Sequence, residues 1–186
     1  NKARDAVVAM IEAGQFDGRG LVDRMYMAGE ETGNGTQYAL DPKTGTLHAV
    51  PWMGRAAWEN VAEVDTGTAD KVAFLIGDDT NGAPLYLYVG NKKAGGEFLE
   101  RNGLADGKLY AWKSDTGETG PSGFNEANGA SRAGEWVEVT VYDKTKAGTA
   151  GYDALGFADQ STITTEAKTK GAMGFSRPED VATNPN

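Results

Sequence analysis

The sequence predicts a mainly β protein built from antiparallel hairpins. Glycine supplies 26 of the 186 residues, well above the usual share of about 7%. Most of these glycines separate short apolar runs, and the runs do not alternate with helical segments. Short strands that arrive as hairpins are typical of a sandwich, a barrel or a propeller rather than an α/β sheet.

Composition limits the partners and the chemistry. Hydrophobic residues make up 39% of the chain, which is enough for a real core. A net charge of -9 repels phosphate backbones, so we expect no nucleic-acid partner. The absence of cysteine excludes disulfides, thiolate metal sites and thiol nucleophiles. No apolar run is long enough to predict a membrane span.

The first half of the chain predicts one short helix followed by hairpins. Apolar residues in 1–13 have helical spacing, which ends at Gly14. Pro42 and Gly45 predict a tight turn between two strands, because proline suits the bend and glycine suits a positive φ. The strands expected from alternation and turn signals are 22–27, 36–40, 46–50, 60–64, 71–76 and 85–89.

The second half is less regular. Residues 91–102 have a helical pattern, and strands are expected at 108–112 and 136–142. Residues 114–134 and 143–159 predict irregular insertions, and 161–186 is a polar final segment.

The repeated unit of strand, turn and strand favours a propeller with about two to three blades here, whereas a closed ring needs at least about four. We therefore expect residues 1–186 to form a single partial β-propeller domain, as a fragment of a longer chain.

Acidic side chains lie at the ends of predicted strands. Glu59 opens one strand, and Asp78 and Asp79 follow the next. Glu30 and Glu31 lie between a strand and a glycine turn. Strand ends hold loop carboxylates firmly while leaving them open to an ion, and carboxylate oxygens suit a hard cation such as Ca²⁺.

Each of these features also has a plain structural interpretation. Glu59 could pair with Arg55, and the two adjacent glutamates could simply be solvated. The loop at 78–82 has the composition of a calcium loop but lacks the spacing of an EF-hand. Residues 177–180 could start a helix, and we expect the only histidine, His48, to have a structural or surface role.

Five segments, taken together and in order, resemble the bacterial PhoX-type alkaline phosphatases and related phosphatase-like β-propellers. They are residues 27–32, 54–60, 75–79, 85–88 and 174–181. The resemblance implies a calcium-bearing propeller whose active members hydrolyse phosphomonoesters outside the cytoplasm with calcium and iron.

The resemblance also implies roles for individual residues. The implied metal ligands at the mouth of the central channel are Glu59, Asp78 or Asp79, and Glu179. Glu30 and Glu31 match the acidic pair of the family. The cysteine that precedes this pair in the family, an iron ligand, is replaced here by Gly29. The oxygen ligands for calcium are therefore retained while the thiolate for iron is not.

Two functions follow as expectations. The first is a metal-dependent phosphomonoesterase, or a piece of one, in which metal ions bind phosphate oxygens and activate water, with Arg55 or Arg177 as phosphate clamps. The alternative is a non-catalytic, calcium-stabilised propeller that acts as a surface or assembly module. Expected partners are a phosphomonoester or phosphate, and other chains or the remainder of its own chain. The expected location is extracellular or periplasmic.

Overall fold

The computed structural model describes residues 18–124 and 131–183, in which the strands form three antiparallel sheets. The helix predicted for 1–13 lies outside the described residues. The predicted fold class, mainly β with antiparallel hairpins, is confirmed. The partial propeller ring stays a prediction.

The first sheet has three strands in the order β1-β2-β3. Its strands are β1 (Tyr26–Gly29), β2 (Gln37–Asp41) and β3 (Thr46–Ala49). The predicted tight turn joins β2 to β3, with Gly45 at a φ of 71°. Asp41 fixes this turn because its carboxylate accepts hydrogen bonds from the Lys43 amide and the Thr44 hydroxyl, both at 2.8 Å.

The largest sheet is a five-stranded meander in the order β4-β5-β7-β8-β9. Its strands are β4 (Trp58–Val64), β5 (Lys71–Asp78), β7 (Tyr86–Asn91), β8 (Lys108–Ser114) and β9 (Gly134–Val139). A two-stranded sheet pairs β6 (Asn81–Pro84) with β10 (Gly174–Ser176). Two neighbouring strands of the meander are therefore joined through a short strand that binds the C-terminal part of the chain.

Several predicted elements need correction. The strand expected at 22–27 lies instead at 26–29, and the helix expected at 91–102 is reduced to α1 (Phe98–Arg101). The loop expected at 78–82 runs into β6. The polar final segment contributes β10 and also overlaps an unpredicted helix, α2 (Gln160–Thr169).

Helix α2 is polar over most of its surface, so apolar periodicity does not predict it. Only Ile163 and Ala167 are buried, one helical turn apart. The helix begins at a clear cap, because the Asp159 carboxylate accepts a hydrogen bond from the Thr162 amide at 2.8 Å. Neither α-helix in residues 18–124 and 131–183 is long and apolar enough to span a bilayer.

The core lies on the inner face of the five-stranded sheet and is rich in aromatic residues. Trp58, Tyr86 and Tyr88 are fully buried. The Trp58 and Tyr86 rings meet edge to face with centroids 5.6 Å apart. Their polar atoms have partners: the Trp58 indole donates to the Gly54 carbonyl and the Tyr88 hydroxyl to the Gly103 carbonyl. This core fixes the start of β4, where the candidate site lies.

The outer face of the three-stranded sheet is apolar. The alternating burial of β2 points Gln37, Ala39 and Asp41 inward. The strand register then places the other side chains together on the opposite face: Tyr26, Ala28, Tyr38, Leu40, Leu47 and Ala49. Tyr26 is 67% exposed and Leu47 is 60% exposed. A sheet face in water is usually polar, so this composition is typical of a surface that packs against another layer.

Gln37 yields a stability prediction. Its side chain is fully buried, and neither amide atom has a hydrogen-bond partner among the described residues. Gln37→Met should raise the free energy of unfolding by about 1 kcal/mol, because it removes an uncompensated buried amide while keeping the side-chain length. Urea denaturation measures this change.

The matched control is Gln160→Met. The Gln160 amide donates to Thr80 at 2.9 Å and to Asp78 at 3.3 Å, so its loss should lower stability. A destabilised Gln37→Met protein would contradict the interpretation of Gln37 as an uncompensated polar group.

Candidate metal centre

The candidate site begins at a bulge in β4. Trp58 lies opposite Asp78 of β5 and Asn60 lies opposite Gly77, so Glu59 is an extra residue without a partner. Bulges redirect side chains and are frequent beside functional sites. Trp58 is buried in the core, and Glu59, the residue that the bulge leaves unpaired, is exposed to solvent.

The two aspartates at the end of β5 have different environments. Asp78 is fully buried and accepts a hydrogen bond from the Gln160 amide at 3.3 Å. Burial raises the pKa of Asp78 because the charged form is desolvated. The Asp79 carboxylate instead accepts two hydrogen bonds from the Arg177 guanidinium, at 2.6 and 2.7 Å. These hydrogen bonds lower the pKa of Asp79, so its carboxylate form is favoured.

The adjacent glutamates after β1 also differ. The Glu30 carboxylate accepts a hydrogen bond from the Thr36 amide at 3.0 Å, and its backbone carbonyl accepts one from the Trp58 amide at 3.1 Å. Glu30 thus fixes the loop between β1 and β2 against β4. Glu31 is exposed and faces the bulge.

Glu31, Glu59 and Asp79 form a group that we call the carboxylate triad. Each residue offers an oxygen, and these three oxygens lie within 4.8 Å of one another. Three converging carboxylate oxygens match the ligand preference of a hard cation such as Ca²⁺. Acidic groups alone do not identify a metal site, so the ligand role of these residues stays a prediction.

The pKa values of two glutamates in this region are raised. Partial desolvation raises the pKa of Glu59, and the charges of Glu31, Glu179, Asp79 and Asp180 raise it further. The pKa of Glu179 is raised by a hydrogen bond with Asp79, an effect that Arg177 opposes. A bound cation would relieve this repulsion.

The C-terminal segment reaches the triad because Gly77 has no side chain. A Cβ on Gly77 would lie 2.1 Å from the Glu179 carbonyl and 2.5 Å from the Pro178 carbonyl. The segment therefore packs directly on the backbone of β5. This contact brings Arg177 to Asp79 and lets it reach Glu179 at 3.0 Å.

The structure places the remaining predicted residues elsewhere. Arg55 pairs with Asp153 at 3.1 Å, so the salt bridge considered between Arg55 and Glu59 is wrong. The Glu59 side chain is exposed. His48 stacks on Phe98, with ring centroids 4.7 Å apart.

Gly29 decides whether the family's iron ligand could be present. A Cβ at this position would lie 2.2 Å from the Trp58 carbonyl oxygen and 2.5 Å from the Trp58 Cβ. No thiolate fits there without moving β4. The residues present therefore fit a cation bound by oxygen, and they do not fit iron held by a thiolate at this position.

Sequence reasoning missed Gln160, the partner of buried Asp78. The sequence separates these residues by 82 positions, and no pattern in the segment predicts their contact. The one available signal was local: Asp159 followed by Thr162 matches a helix start, which would have placed Gln160 in the first turn of α2.

Comparisons with known proteins identify related sequences and folds. The family model described as alkaline phosphatase PhoX matches residues 11–186. The solved structure of Pseudomonas fluorescens PhoX in complex with vanadate, a transition state analogue, is similar over 81% of this chain, with a TM-score of 0.55 and 24% identity. The match covers 25% of that chain, so this chain spans about a quarter of its length. No curated protein sequence matches this chain.

Asp78 yields a pH prediction. Because its folded pKa is raised, its contribution to stability is fully present below the ordinary pKa of an aspartate and is lost as the pH rises through the folded value. Asp78→Asn should therefore increase the melting temperature at neutral pH, and the gain should vanish in acid. Thermal unfolding measured from pH 3 to pH 7 tests this.

Asp143→Asn is the control with the opposite sign. Hydrogen bonds from Thr145 lower the pKa of Asp143, so its contribution is present above the ordinary pKa of an aspartate and is lost as the pH falls. This variant should be less stable than the parent at neutral pH. A loss of stability in Asp78→Asn at pH 7 would contradict the assignment of Asp78 as a desolvated charge.

Proposed function

The chain belongs to the PhoX alkaline phosphatase family, and from this premise we propose that it is a calcium-dependent phosphomonoesterase, or a piece of one. The observation that supports a metal-dependent site is the carboxylate triad, whose oxygens converge within 4.8 Å. The donors are all oxygen, which suits calcium. Because the chain spans only part of the solved relative, activity of the isolated chain is part of the proposal.

In the proposed mechanism, Glu31, Glu59 and Asp79 hold the cation, and Glu179 lies beside them as a further carboxylate. A calcium ion held by these residues would supply positive charge to phosphate oxygens and would lower the pKa of a bound water. The rigid start of β4 keeps Glu59 in place, since the neighbouring Trp58 is locked in the core. The protein thereby fixes the geometry before substrate arrives.

Arg177 is the better of the two candidate phosphate clamps. Its side chain is 59% exposed and lies against the triad residue Asp79, so an incoming phosphate can reach it. Arg55 is only 29% exposed, and its partners, Asp153 and the Asn34 carbonyl, lie outside the triad. We therefore assign phosphate binding to Arg177 and a structural role to Arg55.

The proposal includes partners and location. The substrate is a phosphomonoester, and the remaining blades come from further chain or other chains. We place the protein outside the cytoplasm, in the periplasm or the extracellular space, where millimolar-range calcium sites are used. The net charge of -9 is the basis for expecting no nucleic-acid partner.

Glu59→Gln tests the calcium site. Replacing one carboxylate of the triad should weaken calcium binding by at least about tenfold and should reduce the calcium-dependent rise in melting temperature. Isothermal titration with CaCl₂ and thermal unfolding with and without CaCl₂ measure both effects. Hydrolysis of p-nitrophenyl phosphate under the same conditions tests turnover.

Glu135→Gln is the matched control, because Glu135 is an exposed strand residue that pairs with Lys113 and lies outside the triad. This variant should bind calcium like the parent. A melting temperature that does not depend on calcium in the parent protein would rule out the metal site. Calcium binding without turnover would favour the second function below.

The second candidate function is a non-catalytic, calcium-stabilised assembly module. The apolar outer face of the three-stranded sheet favours it, because six neighbouring outward side chains carry no charge. An uncharged face is where two copies of a chain with net charge -9 can meet with least repulsion. In this function the face packs against a second copy of the chain.

Leu47→Glu tests the assembly module. Leu47 lies in the apolar face, so a glutamate there should shift the chain from dimer to monomer in sedimentation velocity experiments. Leu155→Glu is the control, since Leu155 is 68% exposed but lies outside this sheet. A monomeric parent protein at high micromolar concentration would rule out the module as stated.

A further inference from the structure

We propose that Arg177 is a built-in competitor of the metal ion for Asp79, and that it thereby sets the calcium concentration at which the site fills. This inference rests on the proposed calcium site and adds its regulation. Arg177 would leave Asp79 when the cation binds and return when the cation dissociates.

The first observation is that Arg177 uses both oxygens of a triad residue. Its Nε contacts Asp79 Oδ1 at 2.6 Å and its Nη2 contacts Asp79 Oδ2 at 2.7 Å. Such a bidentate pair is among the stronger ion pairs in proteins and fixes the orientation of the carboxylate. A cation that bound the same carboxylate would face the positive guanidinium at short range, so the two compete.

The second observation is that the two partners differ in exposure. The Arg177 side chain is 59% exposed, whereas the Asp79 side chain is 10% exposed. Asp79 is also fixed through its backbone, because its amide donates to the Ala57 carbonyl at 2.9 Å. Arg177 can therefore swing into water while Asp79 keeps its place in the triad.

The third observation concerns the backbone of Arg177. Its φ is 51°, in the left-handed region that residues other than glycine rarely adopt. Among the described residues, only Asn34 shares this feature outside glycine. The ion pairs with Asp79 and Glu179 and the packing of Pro178 on Gly77 hold Arg177 in this conformation. Loss of the Asp79 contact removes one of the interactions that offset its cost.

The expected size of the effect follows from a population argument. For a ligand that needs Asp79 free, the apparent dissociation constant rises in inverse proportion to the fraction of molecules in which Asp79 is free of Arg177. If Asp79 is free in about one molecule in ten, calcium binding is weakened about tenfold. The guanidinium thus raises the calcium concentration that is needed to fill the site, and it does not prevent calcium from binding.

Arg177→Gln tests the competition by isothermal titration with CaCl₂. Removing the guanidinium should strengthen calcium binding about tenfold. Arg177→Lys keeps the charge but cannot form the bidentate ion pair with Asp79. The calcium affinity of this variant should therefore lie between those of the parent and of Arg177→Gln. Both variants keep a β-carbon at the same φ, so backbone strain does not distinguish them.

Arg19→Gln is the control for a general change in charge. Arg19 pairs with Asp65 at 2.9 Å on the surface, so Arg19→Gln also removes one positive charge but should change calcium affinity less than twofold. Equal affinity of Arg177→Gln and the parent, or weaker binding by the variant, would overturn the competition. Absence of calcium binding in the parent and in both Arg177 variants would overturn the calcium site itself and this inference with it.

Discussion

The candidate centre depends on the backbone pairing of β4 with β5 and on the one-residue bulge that interrupts it. A regular ladder would turn successive side chains to opposite faces. Trp58 and Glu59 follow this alternation, so Trp58 anchors the core and Glu59 remains in solvent, while the bulge leaves Glu59 without a partner on β5, beside Asp79. The core therefore holds the site rigidly without covering it. Trp58, the largest of the fully buried side chains in residues 18–124 and 131–183, is therefore followed directly by an exposed carboxylate.

Close backbone approach is the second constraint, and it explains why two glycines are needed. Gly29 lets β1 touch the start of β4, and Gly77 lets the C-terminal segment lie on β5. Any side chain at either position would separate the segments that supply the carboxylates. The same contact at Gly29 leaves no room for a thiolate, so the geometry that gathers the oxygens also excludes the sulfur ligand.

The sequence predicted what local patterns encode. Alternation and turn residues indicated most strands, including the hairpin closed by Gly45, and three of the predicted acidic residues, Glu31, Glu59 and Asp79, lie together. Local patterns do not encode partners that lie far apart in the chain. The pairing of Arg177 with Asp79 spans 98 positions, as does that of Arg55 with Asp153. For the same reason the separate environments of Asp78 and Asp79 followed from tertiary contacts and not from their composition.

Asp79 belongs both to the fold and to the candidate chemistry. Through Arg177 it helps attach the C-terminal segment, and through its oxygens it completes the carboxylate triad. Cation binding and attachment of the C-terminal segment both use Asp79, so the two equilibria are linked. A cation that displaces Arg177 from Asp79 weakens the attachment of the segment, and attachment through Arg177 weakens cation binding by the same factor. The segment retains its packing on Gly77 and the hydrogen bond from Thr183 to the Glu63 carbonyl at 3.0 Å. Loss of one ion pair can therefore release the guanidinium while the segment stays attached to the sheet.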